Sequence, residues 1–183
     1  MTPPTLETPR LILRPFVPGD LDGLAEILAD PDVVRYLPGG IPRTREQSER
    51  TLNFIMEHWE QHGFGWWAVM LKATGELIGW CGLKLVETTG ETEVLYMFAK
   101  THWGRGHAIE AAQASLRYGF EELGLERIIA VAVPENTASR HVMEKLGMRY
   151  EGIALYYDSD LACYSIRREA FQPGGSLHVV RRA

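Results

Sequence analysis

Between residues 66 and 133 the hydrophobic pattern changes period twice, which restricts the architecture more than any other feature of the chain. Three runs with strand character, Trp66–Leu71, Leu77–Val86 and Glu93–Ala99, are separated by turn signals at Thr74-Gly75 and Thr89-Gly90. That spacing is the pattern of an antiparallel meander. From Ala108 the apolar residues Ile109, Ala112, Leu116, Phe120 and Leu123 recur at helical spacing, and Gly124 stands where such a helix ends. A short apolar strand, Arg127–Val133, follows and is stopped by Pro134. A meander followed by helix-then-strand units predicts a sheet with helices packed on it.

The flanking segments fit the same plan. Leu11-Ile12-Leu13 reads as a first strand, stopped by Pro15. Asp20 caps a short helix with Leu21, Leu24, Ile27 and Leu28 on one face, ending near Asp30-Pro31. After a Pro/Gly-rich loop at 37–42, Thr44 and Gln47 form a capping box for a helix bearing Leu52, Ile55, Met56 and Trp59. Asn136 caps a helix from about Thr137 to Leu146, terminated by Gly147, and two strands follow, roughly Met148–Tyr156 and Leu161–Phe171. The order is β-α-α-β-β-β-α-β-α-β-β, a mixed α/β (α+β) layer structure. With 183 residues the chain suits one domain, since splitting begins above ~250 residues. Its core is expected over about residues 6–171, and 172–183, with Pro173-Gly174-Gly175, reads as a mobile tail.

Charge and cysteine usage exclude several classes of function. A formal net charge of −5 argues against nucleic acid as a partner and mildly favours cationic ligands. Cys81 and Cys163 stand far apart outside any CxxC pattern, so neither a disulfide framework nor a zinc knuckle is expected. Met1-Thr2-Pro3-Pro4 has no basic or apolar stretch, and no run is long enough to span a bilayer. The expectation is a cytoplasmic protein with no membrane partner.

The joint between meander and helix, His102-Trp103-Gly104-Arg105-Gly106-His107-Ala108, carries the most chemistry. Two glycines before a helix let the backbone approach a ligand and present unpaired N–H groups, which with the helix dipole suit an anion. A plain turn has the same composition. A dinucleotide fingerprint needs a third glycine where Ile109 stands, and no Gly-Lys-Ser/Thr follows for a P-loop.

Three ordered motifs resemble the GNAT superfamily of N-acetyltransferases, in its RimJ/RimL-like branch, over about residues 6–171. The first is Leu6-Glu7-Thr8-Pro9-Arg10-Leu11-Ile12-Leu13-Arg14-Pro15, and the second is Trp103-Gly104-Arg105-Gly106-His107-Ala108-Ile109-Glu110-Ala111. The third is Asn136-Thr137-Ala138-Ser139, with Glu144-Lys145-Leu146-Gly147-Met148 and Glu151-Gly152 after it. The resemblance implies a mixed, mostly antiparallel central sheet of about seven strands flanked by about four helices. It also implies direct acetyl transfer from acetyl-CoA to an amine, either a protein N-terminus or a small amine, with no metal. A homodimer is compatible with it.

By the same resemblance Trp103 through Ala108 is the pyrophosphate loop, followed by Ile109, with Trp103 where many members have Gln or Arg. Arg105 and His107 are candidates to add charge there. Tyr96-Met97-Phe98 resembles the splayed strand beside the pantetheine arm, with the Phe98 N–H toward the thioester carbonyl. Asn136 is both a good N-cap and a pantetheine ligand, and Ser139 lies near the CoA sulfur. Met143 stands where many members carry a tyrosine acid, and Met donates no proton. The candidate bases are Glu93, at the start of its strand, and Asp158, at the end of the next-to-last strand. The alternative for Glu93 is a solvated strand-edge carboxylate. His58 and His62 have the i, i+4 spacing of metal ligands but lack a third nearby, and a polar helix face is favoured.

Overall fold

The computed structural model describes residues 3–174 and 179–181. Its elements in chain order are β1 (Thr5–Glu7), β2 (Leu11–Arg14), α1 (Leu21–Leu28), α2 (Pro31–Val34), α3 (Arg45–His62), β3 (Trp66–Leu71), β4 (Leu77–Val86) and β5 (Glu91–Phe98). They continue with α4 (His107–Glu121), β6 (Arg127–Ala132), α5 (Thr137–Lys145), β7 (Arg149–Tyr156), β8 (Ser159–Arg167) and β9 (Val179–Arg181). The strands form one sheet in the order β7-β8-β6-β5-β4-β3-β2-β1-β9. Every neighbouring pair is antiparallel except β5–β6.

This is the mixed, mostly antiparallel α/β sheet expected, with nine strands and five α-helices among the described residues. The additions are β1, α2 and β9, elements of three or four residues too short to show a period. The β9 strand lies inside the segment expected to be a mobile tail, where it pairs with β1; residues 175–178 and 182–183 of that segment lie outside the described residues.

Local signals act as their chemistry dictates. The Gln47 N–H donates to Thr44 Oγ1 at 3.2 Å and the Thr44 N–H to Gln47 Oε1 at 2.8 Å, closing the capping box that starts α3. Trp66 and Trp67 are adjacent on β3 and project to opposite faces. Both are buried, Trp67 edge-on between Trp59 of α3 and Tyr118 of α4 at ring distances of 5.1 and 5.2 Å. The Trp67 indole N–H finds a partner in the Pro4 carbonyl at 2.7 Å, which ties the N-terminus to the core. Among the described residues no helix is long and apolar enough to cross a membrane.

One buried carboxylate links the first hairpin to α4. Glu110 Oε1 accepts from the Thr8 hydroxyl at 2.5 Å and the Arg10 N–H at 2.9 Å, and Oε2 accepts from Arg10 Nε at 2.6 Å. Burial alone would raise its pKa, but these donors together hold it below its ordinary 4.5. A depressed carboxylate stabilises the fold fully above its unfolded value, and that contribution disappears as pH falls through the lower folded value. Glu110→Ala is therefore expected to destabilise the protein by about 2–3 kcal/mol at pH 7, by stranding Thr8 and Arg10. Thermal melts of wild type and variant should converge as pH drops below 4.5.

Candidate active site

β5 and β6 are parallel, and they share a single register pair, Glu93↔Ile129. Beyond it β5 runs on to Phe98 paired with β4 alone, leaving a notch on the β6 side. Helices α4 and α5 begin just after the carboxyl ends of β5 and β6, so both N-termini flank the notch. Carboxyl ends of diverging parallel strands are where open sheets take their ligands. The Ala99 N–H donates to the Ile78 carbonyl of β4 at 2.8 Å, and strand amides alternate in direction, so the Phe98 N–H faces the notch. The Phe98 carbonyl on that side is held by the Trp103 indole N–H at 2.7 Å. The Met97 and Phe98 side chains are buried, and alternation turns the Met97 amide and carbonyl to β4, so of the two only the Phe98 backbone is open to a ligand.

The glycine loop leads into α4 with Gly104 at φ 72° and Gly106, the N-cap, at φ 77°. A side chain at either position would be strained, and the loop backbone from Trp103 to Gly106 is exposed. Unpaired first-turn N–H groups then open outward, a cradle that fits a pyrophosphate. Ala108 and Ile109 are half-buried in the first turn of α4.

The charge at this loop differs from expectation. Arg105 is exposed, but His107 is buried, and its pKa is lowered by burial first and then by Arg10 and His102. The His107 ring is thus neutral near pH 7 and adds no positive charge. Arg10 does so instead. Held by Glu110, its Nη1 donates to the Arg105 carbonyl at 2.8 Å, and Nη2 lies 3.5 Å from the point where a Gly106 Cβ would stand. The Arg10–Glu110 contact spans 100 residues, beyond the reach of local pattern.

Asn136 Oδ1 accepts from the Ser139 N–H at 3.2 Å, the expected N-cap of α5. The Tyr96 hydroxyl, from β5, lies 3.0 Å from both the Ser139 carbonyl and Ser139 Oγ, so it bridges the notch from β5 to α5. Burial raises the Tyr96 pKa, which keeps the phenol protonated. Sequence reasoning found Ser139 but missed this tyrosine hydroxyl. Met143 is buried in the core under the same helix.

Glu93 is 7% exposed, not a solvated edge residue. It accepts a hydrogen bond from the Tyr157 hydroxyl, and its cross-strand neighbour is Lys84. Burial pushes its pKa up to about 7, against the opposing pull of Tyr157 and Lys84. Asp158, the other candidate base, is exposed at the tip of the β7–β8 hairpin. Phe98, the glycine loop, Asn136 and Ser139 flank the notch, Glu93 stands at the register pair where it begins, and Asp158 is at the surface.

Features set aside in the sequence remain structural. His58 Nδ1 donates to the Phe64 carbonyl at 2.9 Å while Nε2 accepts from the Leu85 N–H at 3.3 Å, and burial with His62 nearby holds its pKa near 4. No group of three or more His, Cys, Asp or Glu able to hold a metal occurs among the described residues. Cys81 is fully buried with its thiol pushed up to about 12, and burial raises Cys163 as well, so neither is an activated nucleophile.

Residues 10–149 match the family model of the acetyltransferase (GNAT) domain. Bacillus subtilis YkkB is 36% identical over 162 residues, covering 87% of this chain and 93% of that protein. YdaF of the same organism, assigned by its name to ribosomal N-acetyltransferases, is 33% identical over 105 residues, 54% of this chain and 57% of its own. A crystallised GNAT-family acetyltransferase from Bacillus anthracis superposes with a TM-score of 0.78 at 33% identity, covering 90% of this chain and 99% of that one.

Because Asn136 caps α5 beside the notch, Asn136→Ala should cost about 1 kcal/mol of stability, recovered largely by Asn136→Asp or Ser. Chemical denaturation with an unchanged m-value checks this.

Proposed function

This chain belongs to the GNAT acetyltransferase family and is an acyltransferase acting on an amine, and we propose that its acceptor is the α-amine of a protein or peptide N-terminus. The observation that carries the proposal is the buried Glu93 beside the notch, with a pKa of about 7. An α-amino group loses its proton near ~7.7–8.0, a lysine near ~10.4. Such a carboxylate is matched within about one unit to the first and mismatched by more than three to the second. The ribosomal assignment in YdaF's name is in keeping with a protein acceptor.

In this reading acetyl-CoA supplies an activated acetyl group when bound. The cradle from Trp103 through Gly104, Arg105, Gly106, His107, Ala108 and Ile109 holds its pyrophosphate through backbone N–H groups. The Phe98 backbone, with Asn136, holds the pantetheine arm, while the Met97 backbone faces β4. The Phe98 N–H is the donor for the carbonyl oxygen, a contact of a kind worth ~3 kcal/mol in a transition state. The amine nitrogen forms the new C–N bond as the C–S bond breaks, and its surplus proton passes to Glu93, directly or through water. Ser139, backed by the Tyr96 hydroxyl, stabilises the departing sulfur. A thiol pKa near ~8.5 makes full protonation unnecessary. With both cysteines buried, transfer is direct.

Since the base works only when ionised, turnover should rise with pH through about 7 and fall away below it. Glu93→Gln should lower kcat/KM by ~10²-fold and leave only the rise that follows the acceptor α-amine near ~7.7–8.0. Free-thiol release with peptides bearing open N-termini, the same peptides blocked but carrying lysines, and small polyamines tests the acceptor. Activity confined to open N-termini supports the proposal, and turnover with small amines alone overturns it. Gly106→Trp, which fills the cradle, should abolish acetyl-CoA binding by calorimetry in a protein that still melts cooperatively.

A further inference from the structure

The β7–β8 hairpin closes through two residues, Tyr157 at φ 52° and Asp158 at φ 57°. Two consecutive left-handed residues make the tight turn that suits strand twist, and Asn-Gly or Asp-Gly normally occupy it. A bulky aromatic in the first position is strained, because its Cβ crowds the following carbonyl. Core burial does not compensate, since Tyr157 remains 41% exposed. What the turn achieves is placement. The Tyr157 hydroxyl donates to Glu93, and the face of its ring takes the Lys84 ammonium at 4.4 Å from the centroid. Lys84 is itself the cross-strand neighbour of Glu93, so strand β4, strand β5 and the hairpin tip converge on one carboxylate.

We propose that Tyr157 is a positioning residue for Glu93, its phenol fixing the carboxylate's orientation toward the notch and favouring the ionised form that receives the acceptor's proton. This rests on Glu93 being the base. The groups that face Glu93 are few. Lys84 on β4 favours its charge, and Tyr157 on the hairpin favours it through the hydrogen bond. Glu91, two residues away on the same face of β5, is already paired with Tyr156 and Arg127, and the β6 neighbour in register is the apolar Ile129, while Tyr96 projects to the opposite face. Burial opposes ionisation, and with the phenol gone Lys84 alone resists it. Tyr157 keeps its own proton, since burial and the adjacent carboxylate both raise its pKa.

The test uses the full chain with glutamate labelled at the carboxyl carbon, following the Glu93 signal by NMR titration and assigning it by its loss in Glu93→Gln. Wild type should titrate near 7. Tyr157→Phe should titrate about one pH unit or more higher, with the other glutamates unmoved. Tyr157→Phe keeps the ring that covers Glu93 and removes only its hydroxyl, and a cooperative thermal melt checks that it is folded. In thiol release, kcat/KM of Tyr157→Phe should fall about tenfold near pH 6.5 and recover to within about twofold of wild type near pH 9. A Glu93 signal titrating at the wild-type pH in folded Tyr157→Phe, or an unchanged kcat/KM near pH 6.5, overturns the proposal. Undiminished turnover in Glu93→Gln overturns the assignment of the base itself, whatever the titration shows, and the positioning role falls with it.

Discussion

Parallel strands need a crossover, and here it is α4, which leaves the carboxyl end of β5 and returns the chain to start β6 alongside. Each strand is then committed elsewhere. β5 is in register with β4 from Glu91 to Phe98, and β6 with β8 from Arg127 to Ala132. Two well-paired half-sheets therefore meet along an edge where Glu93↔Ile129 is the single match, and sheet twist carries them apart beyond it. The gap leaves strand amides of β5 without a ladder partner, and such groups require water or another extended chain. An arm that offers amide groups of its own is the natural occupant, and the Tyr96–Ser139 contact holds the two sides at a fixed separation.

The electrostatics beside the notch come into focus by comparing two glutamates on the same face of β5. Glu91 accepts from Tyr156 and from the Arg127 guanidinium, and these donors hold its pKa down against a burial that alone would raise it. Glu93 is more deeply buried and has a tyrosine but no guanidinium, and its pKa goes up. Similar residues two positions apart are thus driven in opposite directions, first by the deeper burial of Glu93 and then by the guanidinium that only Glu91 has. Lys84 does not substitute for it. Its ammonium rests on the Tyr157 ring instead of pairing with the carboxylate, so it biases the site without neutralising it.

What the sequence made legible follows the range of the interactions. The Thr44–Gln47 box, the Asn136 cap and the Gly106 turn lie within three or four residues of their partners, and each stands where local chemistry put it. The meander and the α4 face were visible because burial repeats with the period of the element. β1 and β9 were not, being too short to repeat anything. The contacts that complete the candidate site bridge 43 residues for Tyr96–Ser139, 64 for Tyr157–Glu93 and 100 for Arg10–Glu110. No window of sequence contains both partners. Glu93 was nameable as a carboxylate in the correct strand, but its burial depends on a hairpin tip that follows much later. The burial of His107 was illegible for the same reason, since its ring folds inward against His102 and Arg10.

The proposed chemistry also explains why β5 must be held so firmly. Alternation sends Tyr96 to the face that α4 covers through Cys81 and Ser115, and sends Glu93 to the opposite face with Lys84. The Phe98 amide lies in the plane between them. A donor lying along α4 and α5 and an acceptor arriving at Glu93 thus come from opposite sides of one sheet and meet only where the sheet is open. A slip of one residue in the β4–β5 register would exchange the faces, burying the base under α4 and turning the Tyr96 bridge away from Ser139. The long β4–β5 ladder excludes that slip. Its stability in the centre of the sheet is what allows the neighbouring β5–β6 edge to stay unpaired.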